Sequence, residues 1–84
     1  MTYALLLLPR VQKELSRLNS AAYVRVRDAI RRLAEDPRPT GALKLTGRDG
    51  WRLRIGDFRV IYEIDDKQRN ITVLHIGHRR DVYR

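Results

Sequence analysis

Hydrophobic and polar positions along this chain follow two periods, one typical of strands and one typical of helices. The continuous apolar run Tyr3 to Leu8 has the length of a strand. Because no polar residue alternates with it, the run predicts a strand covered on both faces in the middle of a small sheet. Pro9 suits the first turn of a helix, in which Val11, Leu15 and Leu18 follow at helical spacing.

A second helical pattern begins after Asn19-Ser20, which breaks the first helix and offers an N-cap for the next. Its apolar stripe consists of Tyr23, Val26, Ile30, Leu33 and Ala34. Asp36-Pro37-Arg38-Pro39 ends this helix, because a residue before proline is pushed out of the α region. The two patterns together predict a helical hairpin.

The second half of the chain has strand patterns. We expect a short edge strand within residues 42–46, a hairpin over residues 51–64 and a last strand over residues 71–77. The whole predicts a single α+β domain spanning residues 1–84. Its N-terminal strand and helical hairpin precede three to four strands that form a small, mainly antiparallel sheet, with the helices packed on one face.

The two strands of the predicted hairpin are joined by Gly56-Asp57 alone, which fixes the pairing of their side chains. Glycine at the first turn position supplies the positive φ of a type II′ turn. The apolar face then holds the facing pairs Ile55 with Phe58, Leu53 with Val60 and Trp51 with Tyr62. On the other face Arg54 lies opposite Arg59, with Arg52 beside them. Like charges placed directly opposite destabilise a sheet, so this arginine cluster (Arg52, Arg54 and Arg59) predicts a bound anion, with phosphate as the natural match for planar guanidinium groups.

The register of the last strand stays open at this point. Leu74 and Ile76 favour one side-chain set for the core, whereas Ile71 and Val73 favour the other. The face on which His75 and Arg79 lie is therefore not decided by the pattern.

Composition supports a polyanionic or acidic partner. The net charge is +8, and 15 of the 18 basic residues are arginine, which favours contacts that need fork geometry. The absence of cysteine excludes disulfides and thiolate metal sites and makes the cytoplasm the default location. The N-terminal apolar run is too short to span a membrane, so we expect no membrane partner.

Three segments in this order resemble the RelE branch of the RelE/ParE toxin superfamily. They are Trp51-Arg-Leu-Arg54, Gly56-Asp-Phe-Arg59-Val-Ile-Tyr-Glu63 and Ile76-Gly-His-Arg-Arg-Asp-Val-Tyr83. The resemblance covers essentially the whole chain. It implies a type II toxin that enters the ribosomal A site, cuts mRNA without metal or cofactor, inhibits translation and is silenced by a partner antitoxin.

The resemblance also implies roles for individual residues. Arg52 and Arg54 match the basic pair of the first hairpin strand, and Arg59 matches the phosphate-stabilising arginine of the second. Arg79 matches the arginine that follows the glycine of the last strand. Tyr83 matches the tyrosine that stacks on a base or orients the substrate. In the ribonuclease reading, Lys44, Arg80 and the helix residues Arg31 and Arg32 are assigned to RNA binding.

Proton transfer requires a group other than Arg54. Some relatives carry lysine where this chain has Arg54, and arginine keeps its proton and is a poor general base. His75 and His78 are the only side chains of the type that titrates near neutrality, and His78 is the preferred candidate acid or base. Two rivals remain: a ParE-like module that inhibits DNA gyrase by binding, and an RNA-binding relative that no longer cuts.

Overall fold

The computed structural model describes residues 2–78, which form an α+β domain around one five-stranded sheet. In chain order the elements are β1 (Ala4–Leu7), α1 (Pro9–Ser16), α2 (Ser20–Leu33), β2 (Leu43–Lys44), β3 (Trp51–Ile55), β4 (Phe58–Asp65) and β5 (Asn70–His78). The strand order is β1-β5-β4-β3-β2. All neighbours are antiparallel except β1 and β5, which are parallel. The predicted fold class is confirmed, with a sheet that is mixed because of this one pair.

The prediction that β1 lies in the middle of the sheet is wrong. β1 is an edge strand that pairs with β5 alone, from Ala4 opposite Asn70 to Leu7 opposite Val73. Leu5 and Leu7 are half-buried against the core, while Leu6 is 50% exposed. An unbroken apolar run cannot distinguish a covered strand from an edge strand whose outer residues also happen to be apolar.

Both helices begin where the sequence predicts, but each ends slightly earlier than its predicted apolar stripe: α1 ends before Leu18, and Ala34 is the C-cap of α2. Pro9 occupies the first turn of α1. The Asn19 side chain caps α2 by accepting a hydrogen bond from the backbone N–H of Ala22 at 2.9 Å. Such a cap satisfies one of the free donors at a helix start and stabilises the helix by ~1 kcal/mol. α2 ends at Leu33, before the proline-containing segment.

The core lies between the helices and one face of the sheet. It comprises Val11 and Leu15 of α1, Val26, Ala29, Ile30 and Leu33 of α2, and Leu53, Val60, Tyr62, Ile71, Val73 and Ile76 of the sheet. Tyr62 is fully buried and donates its hydroxyl hydrogen bond to the Pro37 carbonyl at 2.7 Å. Burial raises the pKa of Tyr62 to about 12. The core therefore ties the loop after α2 to the middle of the sheet.

A β-bulge in β5 resolves the open question of its register. Ile61 faces His75, but the next residue, Tyr62, faces Val73, so Leu74 is the extra residue of the bulge. Ile71 and Val73 before the bulge, and Ile76 after it, all enter the core. Each of the two alternating sets of side chains therefore contributes to the core along part of β5, because the bulge shifts the alternation by one residue.

Candidate functional site

The hairpin of β3 and β4 has the predicted register. Trp51 faces Tyr62, Leu53 faces Val60 and Ile55 faces Phe58, and all six side chains belong to the core or pack against it. Gly56 has φ 59°, and between residues 2 and 78 the only non-glycine residue with positive φ is Arg69. Asp57 therefore lacks the positive φ that a type I′ turn requires, and the turn matches type II′.

The arginine cluster lies on the opposite face of this hairpin. Arg54 is directly opposite Arg59, and Arg59 is directly opposite Gly77 of β5. Arg52 lies in the next row, opposite Ile61. Directly opposed residues have Cβ atoms about 5 Å apart, so two guanidinium groups start from neighbouring positions on one surface and can converge on one anion.

The members of the cluster differ in burial. Arg59 is only 4% exposed, Arg52 is half-buried and Arg54 is exposed. Arg54 donates from Nε to the Gly56 carbonyl at 3.3 Å. Ile61, on the same face, is also buried at 8% exposure, so this face of the sheet is only partly open to solvent. Burial fixes the orientation of Arg59, whereas Arg54 keeps the freedom to adjust to a ligand.

The ladder places the two histidines on different faces. His78 is opposite Phe58 and contacts it edge to face, with ring centroids 5.5 Å apart. His78 therefore shares the face of the apolar ladder. His75 is opposite Ile61, on the same side of the sheet as Arg59. The structure thus puts the second-choice histidine, rather than His78, on the face of the arginine cluster.

A carboxylate that sequence reasoning missed holds His75. Glu14 of α1 accepts from His75 Nδ1 at 2.7 Å through one oxygen and from the backbone N–H of Ile76 at 2.9 Å through the other. Arg10 lies 3.8 Å from the same carboxylate and 3.1 Å from His75 Nδ1. A carboxylate can only accept, so Nδ1 is the donor in the contact with Glu14 and the lone pair of that tautomer lies on Nε2; Arg10 can only donate, so its contact with Nδ1 belongs to the other tautomer. The sequence signal that could have revealed this contact is the position of Glu14 next to Leu15, at the border of the apolar stripe of α1.

The remaining predicted residues are dispersed. Lys44 is opposite Trp51 and its Nζ lies 5.7 Å from the centre of the indole ring, so it shares the face of the apolar ladder rather than that of the arginine cluster. Arg31 and Arg32 are exposed on α2. The predicted site residues Arg79, Arg80 and Tyr83 lie outside the described residues.

A polar network closes the end of the sheet away from the Gly56 turn. Arg38 pairs with Asp66 at 2.9 Å and stacks over Trp51 at 5.2 Å from the ring centre. Tyr3 donates its hydroxyl hydrogen bond to Asp66 at 2.6 Å. The hydrogen bonds from Arg38 and Tyr3 hold the pKa of the Asp66 carboxyl below its ordinary value. These groups join β1, the loop after α2 and the β4–β5 turn, so we assign them to stability.

Within residues 2–78, no group of three or more His, Asp or Glu side chains is arranged to hold a metal ion. Over the same residues, neither helix is long and apolar enough to cross a membrane.

Comparison with known proteins gives consistent matches. A family model described as the ParE toxin of the type II toxin–antitoxin system parDE matches residues 5–83. A chain of the archaeal RelE–RelB complex from Pyrococcus horikoshii is 34% identical in sequence, with a TM-score of 0.81, and the match covers 94% of this chain and 97% of that chain. The isolated RelE toxin of E. coli is 26% identical, with a TM-score of 0.78 over 96% of this chain and 90% of that chain.

A shorter match is found with Toxin RelG of Mycobacterium tuberculosis, which is 42% identical over 31 residues. This match covers 37% of this chain and 36% of RelG. It therefore supports relationship over a segment, whereas the archaeal structure supports it over nearly the full chain.

Proposed function

Because this chain belongs to the RelE/ParE family of type II toxins, we propose that it is a ribosome-dependent endoribonuclease that cleaves mRNA in the ribosomal A site. Its partners are then the ribosome, the mRNA and a cognate antitoxin that silences it in the cytoplasm. The observation that carries the proposal is the pair Arg54 and Arg59, directly opposite on neighbouring strands with Arg59 buried. Two opposed arginines cost stability, and a scissile phosphate would offset that cost.

The proposed reaction needs neither a metal nor a cofactor. The 2′-oxygen of the nucleotide before the cut attacks the phosphorus, the bond from phosphorus to the 5′-oxygen breaks, and the products are a 2′,3′-cyclic phosphate and a 5′-hydroxyl. One proton leaves the 2′-hydroxyl and one is given to the 5′-oxygen. Arg54 and Arg59 stabilise the charge that develops on the phosphorane, with Arg52 in support. A donor of this kind is worth ~2.7 to 4 kcal/mol.

Proton transfer is assigned to a histidine, because arginine keeps its proton. His75 is favoured by its place on the face of Arg59 and by Glu14, because Nε2 is the acceptor of the ring when Nδ1 donates to this carboxylate. His78 remains the alternative. Arg79 and Tyr83 keep their proposed roles, Arg79 at the leaving oxygen and Tyr83 in stacking on a base. Lys44, Arg31, Arg32 and Arg80 are proposed to bind RNA phosphates through charge.

Primer extension on mRNA in programmed ribosomes tests this proposal. We expect wild-type protein to produce cuts in the A site, and Arg59→Ala to reduce the rate ~100-fold or more. Since Arg59 is buried, Arg59→Lys serves as the second variant: it keeps the charge but loses the planar fork, and should fold while cleaving poorly. Circular dichroism checks that each variant is folded. Wild-type protein that leaves mRNA intact on ribosomes would refute the enzymatic function.

A second candidate function is supported by the family model, which is that of a ParE toxin. In this case the protein would inhibit DNA gyrase by binding, without cleaving RNA. A supercoiling assay with purified gyrase distinguishes the two candidates. Inhibition of supercoiling together with intact ribosomal mRNA would favour the ParE-like activity.

A further inference from the structure

Two side chains of α1 compete for one ring nitrogen of His75. Oε2 of Glu14 lies 2.7 Å from His75 Nδ1, and Nη2 of Arg10 lies 3.1 Å from the same atom. A carboxylate only accepts hydrogen bonds, and a guanidinium only donates them. Because Nδ1 of a neutral ring either carries the proton or holds the lone pair, it can serve only one of these two neighbours at a time.

The neighbour that Nδ1 serves decides the chemistry of the other ring nitrogen. When Nδ1 donates to Glu14, Nε2 of the neutral ring holds the lone pair and can accept a proton. When Nδ1 accepts from Arg10, Nε2 carries the proton and can only donate it. The two nitrogens of an imidazole point in divergent directions, so Nε2 is directed away from these two side chains of α1. The side chain of His75 is 29% exposed, so a substrate can reach the ring.

The sheet holds Glu14 in place for its contact with His75. Within residues 2–78, β1 is the one strand beside this edge of β5, and it ends with Leu7 opposite Val73. Beyond that point, Oε1 of Glu14 accepts a hydrogen bond from the backbone N–H of Ile76 at 2.9 Å. The carboxylate thus takes the place of a neighbouring strand, and its position is fixed by the backbone of β5.

Arg10 is held less firmly than Glu14. Its side chain is 62% exposed, against 20% for Glu14, and the ion pair between the two is long, at 3.8 Å. The residue directly opposite His75 on β4 is Ile61, whose side chain offers neither a donor nor an acceptor. The contact with Glu14 is therefore both the shorter and the better anchored of the two.

We infer that Glu14 and Arg10 are opposing positioning residues of His75. Glu14 selects the tautomer with the proton on Nδ1, and Arg10 supports the tautomer with the proton on Nε2. The inference rests on the proposed reaction for its consequence, since only the first tautomer can take the proton of the 2′-hydroxyl. That transfer gives an imidazolium in which Nδ1–H keeps its carboxylate acceptor. Loss of the Nε2 proton, to the 5′-oxygen or to water, restores the starting tautomer.

Nitrogen-15 NMR of the free toxin measures the tautomer without any ribosome. In a neutral imidazole the protonated nitrogen and the nitrogen with the lone pair resonate far apart. Spectra are recorded at rising pH until the ring signals stop changing, which ensures the neutral form. The chain has two histidines, so His78→Gln identifies the signals of His75 by elimination. We expect a ~10-fold excess of Nδ1–H over Nε2–H, because hydrogen bonds to charged groups are the stronger ones.

Glu14→Gln is the decisive variant, because it preserves the shape of the side chain. Its amide oxygen can keep the hydrogen bond from Ile76, while its NH2 group puts a donor where the acceptor of Nδ1 was. We expect the tautomer to reverse to an excess of Nε2–H, with a circular dichroism spectrum like that of wild type. Arg10→Met removes the competing donor and should leave Nδ1–H in at least its wild-type excess. The matched control is Arg17→Gln, which removes one positive charge at the exposed C-cap of α1 and should leave the tautomer and cleavage unchanged.

Cleavage of mRNA in programmed ribosomes then reports the consequence. Glu14→Gln should lower kcat ~100-fold or more with little change in KM, because a ring that presents Nε2–H cannot take up the proton. A wild-type ring that is mainly Nε2–H would overturn the inference. So would a Glu14→Gln ring that keeps the wild-type tautomer, or cleavage at the wild-type rate by a Glu14→Gln protein whose tautomer is reversed.

The inference and the proposed function can fail separately. If wild-type toxin leaves mRNA intact but Glu14→Gln reverses the tautomer, the nuclease proposal fails and the selection of the tautomer by Glu14 stands. If wild-type toxin cuts mRNA but Glu14→Gln leaves the tautomer as it was, the proposed function stands and the inference fails.

Discussion

Replacing Arg54 by glutamine should stabilise the protein and inactivate it at the same time. Arg54 lies directly opposite Arg59 on the neighbouring strand. Like-charge pairs in this position cost ~0.2 to 1 kcal/mol, and because Arg54 is exposed and screened by solvent, we take the lower half of that range. The variant also loses the hydrogen bond from Arg54 to the Gly56 carbonyl, but this bond is 3.3 Å long and exposed to solvent, so its loss offsets little of the gain in stability. The expected change is a gain of ~0.2 to 0.5 kcal/mol in the free energy of unfolding.

Two assays follow this variant. In thermal unfolding, a gain of that size raises Tm by ~1 to 4 °C for a domain of this length, and the gain should shrink in 1 M salt, where the Debye length falls to ~3 Å. In ribosomal mRNA cleavage, loss of one charge-stabilising donor should lower the rate ~100- to 1,000-fold. The control is Arg48→Gln, which removes one exposed arginine from the turn before β3 and should leave cleavage unchanged.

The two results are informative together. If Arg54 were a solvated residue without function, Arg54→Gln would leave the rate of mRNA cleavage unchanged. If Arg54 had a purely structural role, Arg54→Gln would lower the free energy of unfolding. A variant that is less stable than wild type, or one that cuts at the wild-type rate, would refute the reasoning that the cluster trades stability for phosphate binding.

Three further predictions concern the scaffold. Tyr62→Phe loses the hydrogen bond to Pro37 and should be ~1 kcal/mol less stable at neutral pH. The folded pKa of Tyr62, about 12, lies above its ordinary value of 10.0, so folding favours the protonated phenol; this stabilisation is complete below pH 10 and is lost as the pH rises towards 12. Chemical denaturation from pH 8 to 12 should therefore show wild type losing up to ~3 kcal/mol relative to Tyr62→Phe, and parallel curves for the two proteins would contradict the assignment. Asn19→Ala removes the cap on Ala22 and should lower the free energy of unfolding by ~1 kcal/mol, measured in urea; no change would mean that solvent replaces the cap. Phe58→Tyr alters the apolar face and should leave inhibition of translation in a cell-free system at the wild-type level, whereas a loss as large as that of Arg54→Ala would contradict the assignment of faces.

Local signals in the sequence were sufficient for the elements and for the arginine cluster. Pro9, Asn19 and the proline-containing segment after α2 act through their own backbone or side chains, so the starts of both helices follow from residue type, and so does the position of the break after α2. A two-residue turn leaves one register for the hairpin, and the pairing of Arg54 with Arg59 follows from it. These features depend on neighbours within a few residues along the chain.

The tertiary structure decided what depends on distant parts of the chain. The edge position of β1 depends on its pairing with β5, about 66 residues later, and an apolar run alone carries no information about its neighbours. The bulge at Leu74 changes the face of every residue after it, because strand side chains alternate with a period of two. His75 consequently shares the face of Arg59, and Glu14 reaches it from α1.

The sequence by itself thus determined the helices, the hairpin and the presence of an arginine cluster, because these depend on local spacing. Only the folded chain showed that Arg59 is buried while Arg54 is exposed, which histidine shares their face of the sheet, and that Glu14 and Arg10 meet at one nitrogen of its ring. Burial and the meeting of residues far apart in sequence are properties of packing, and no pattern along one segment can specify them.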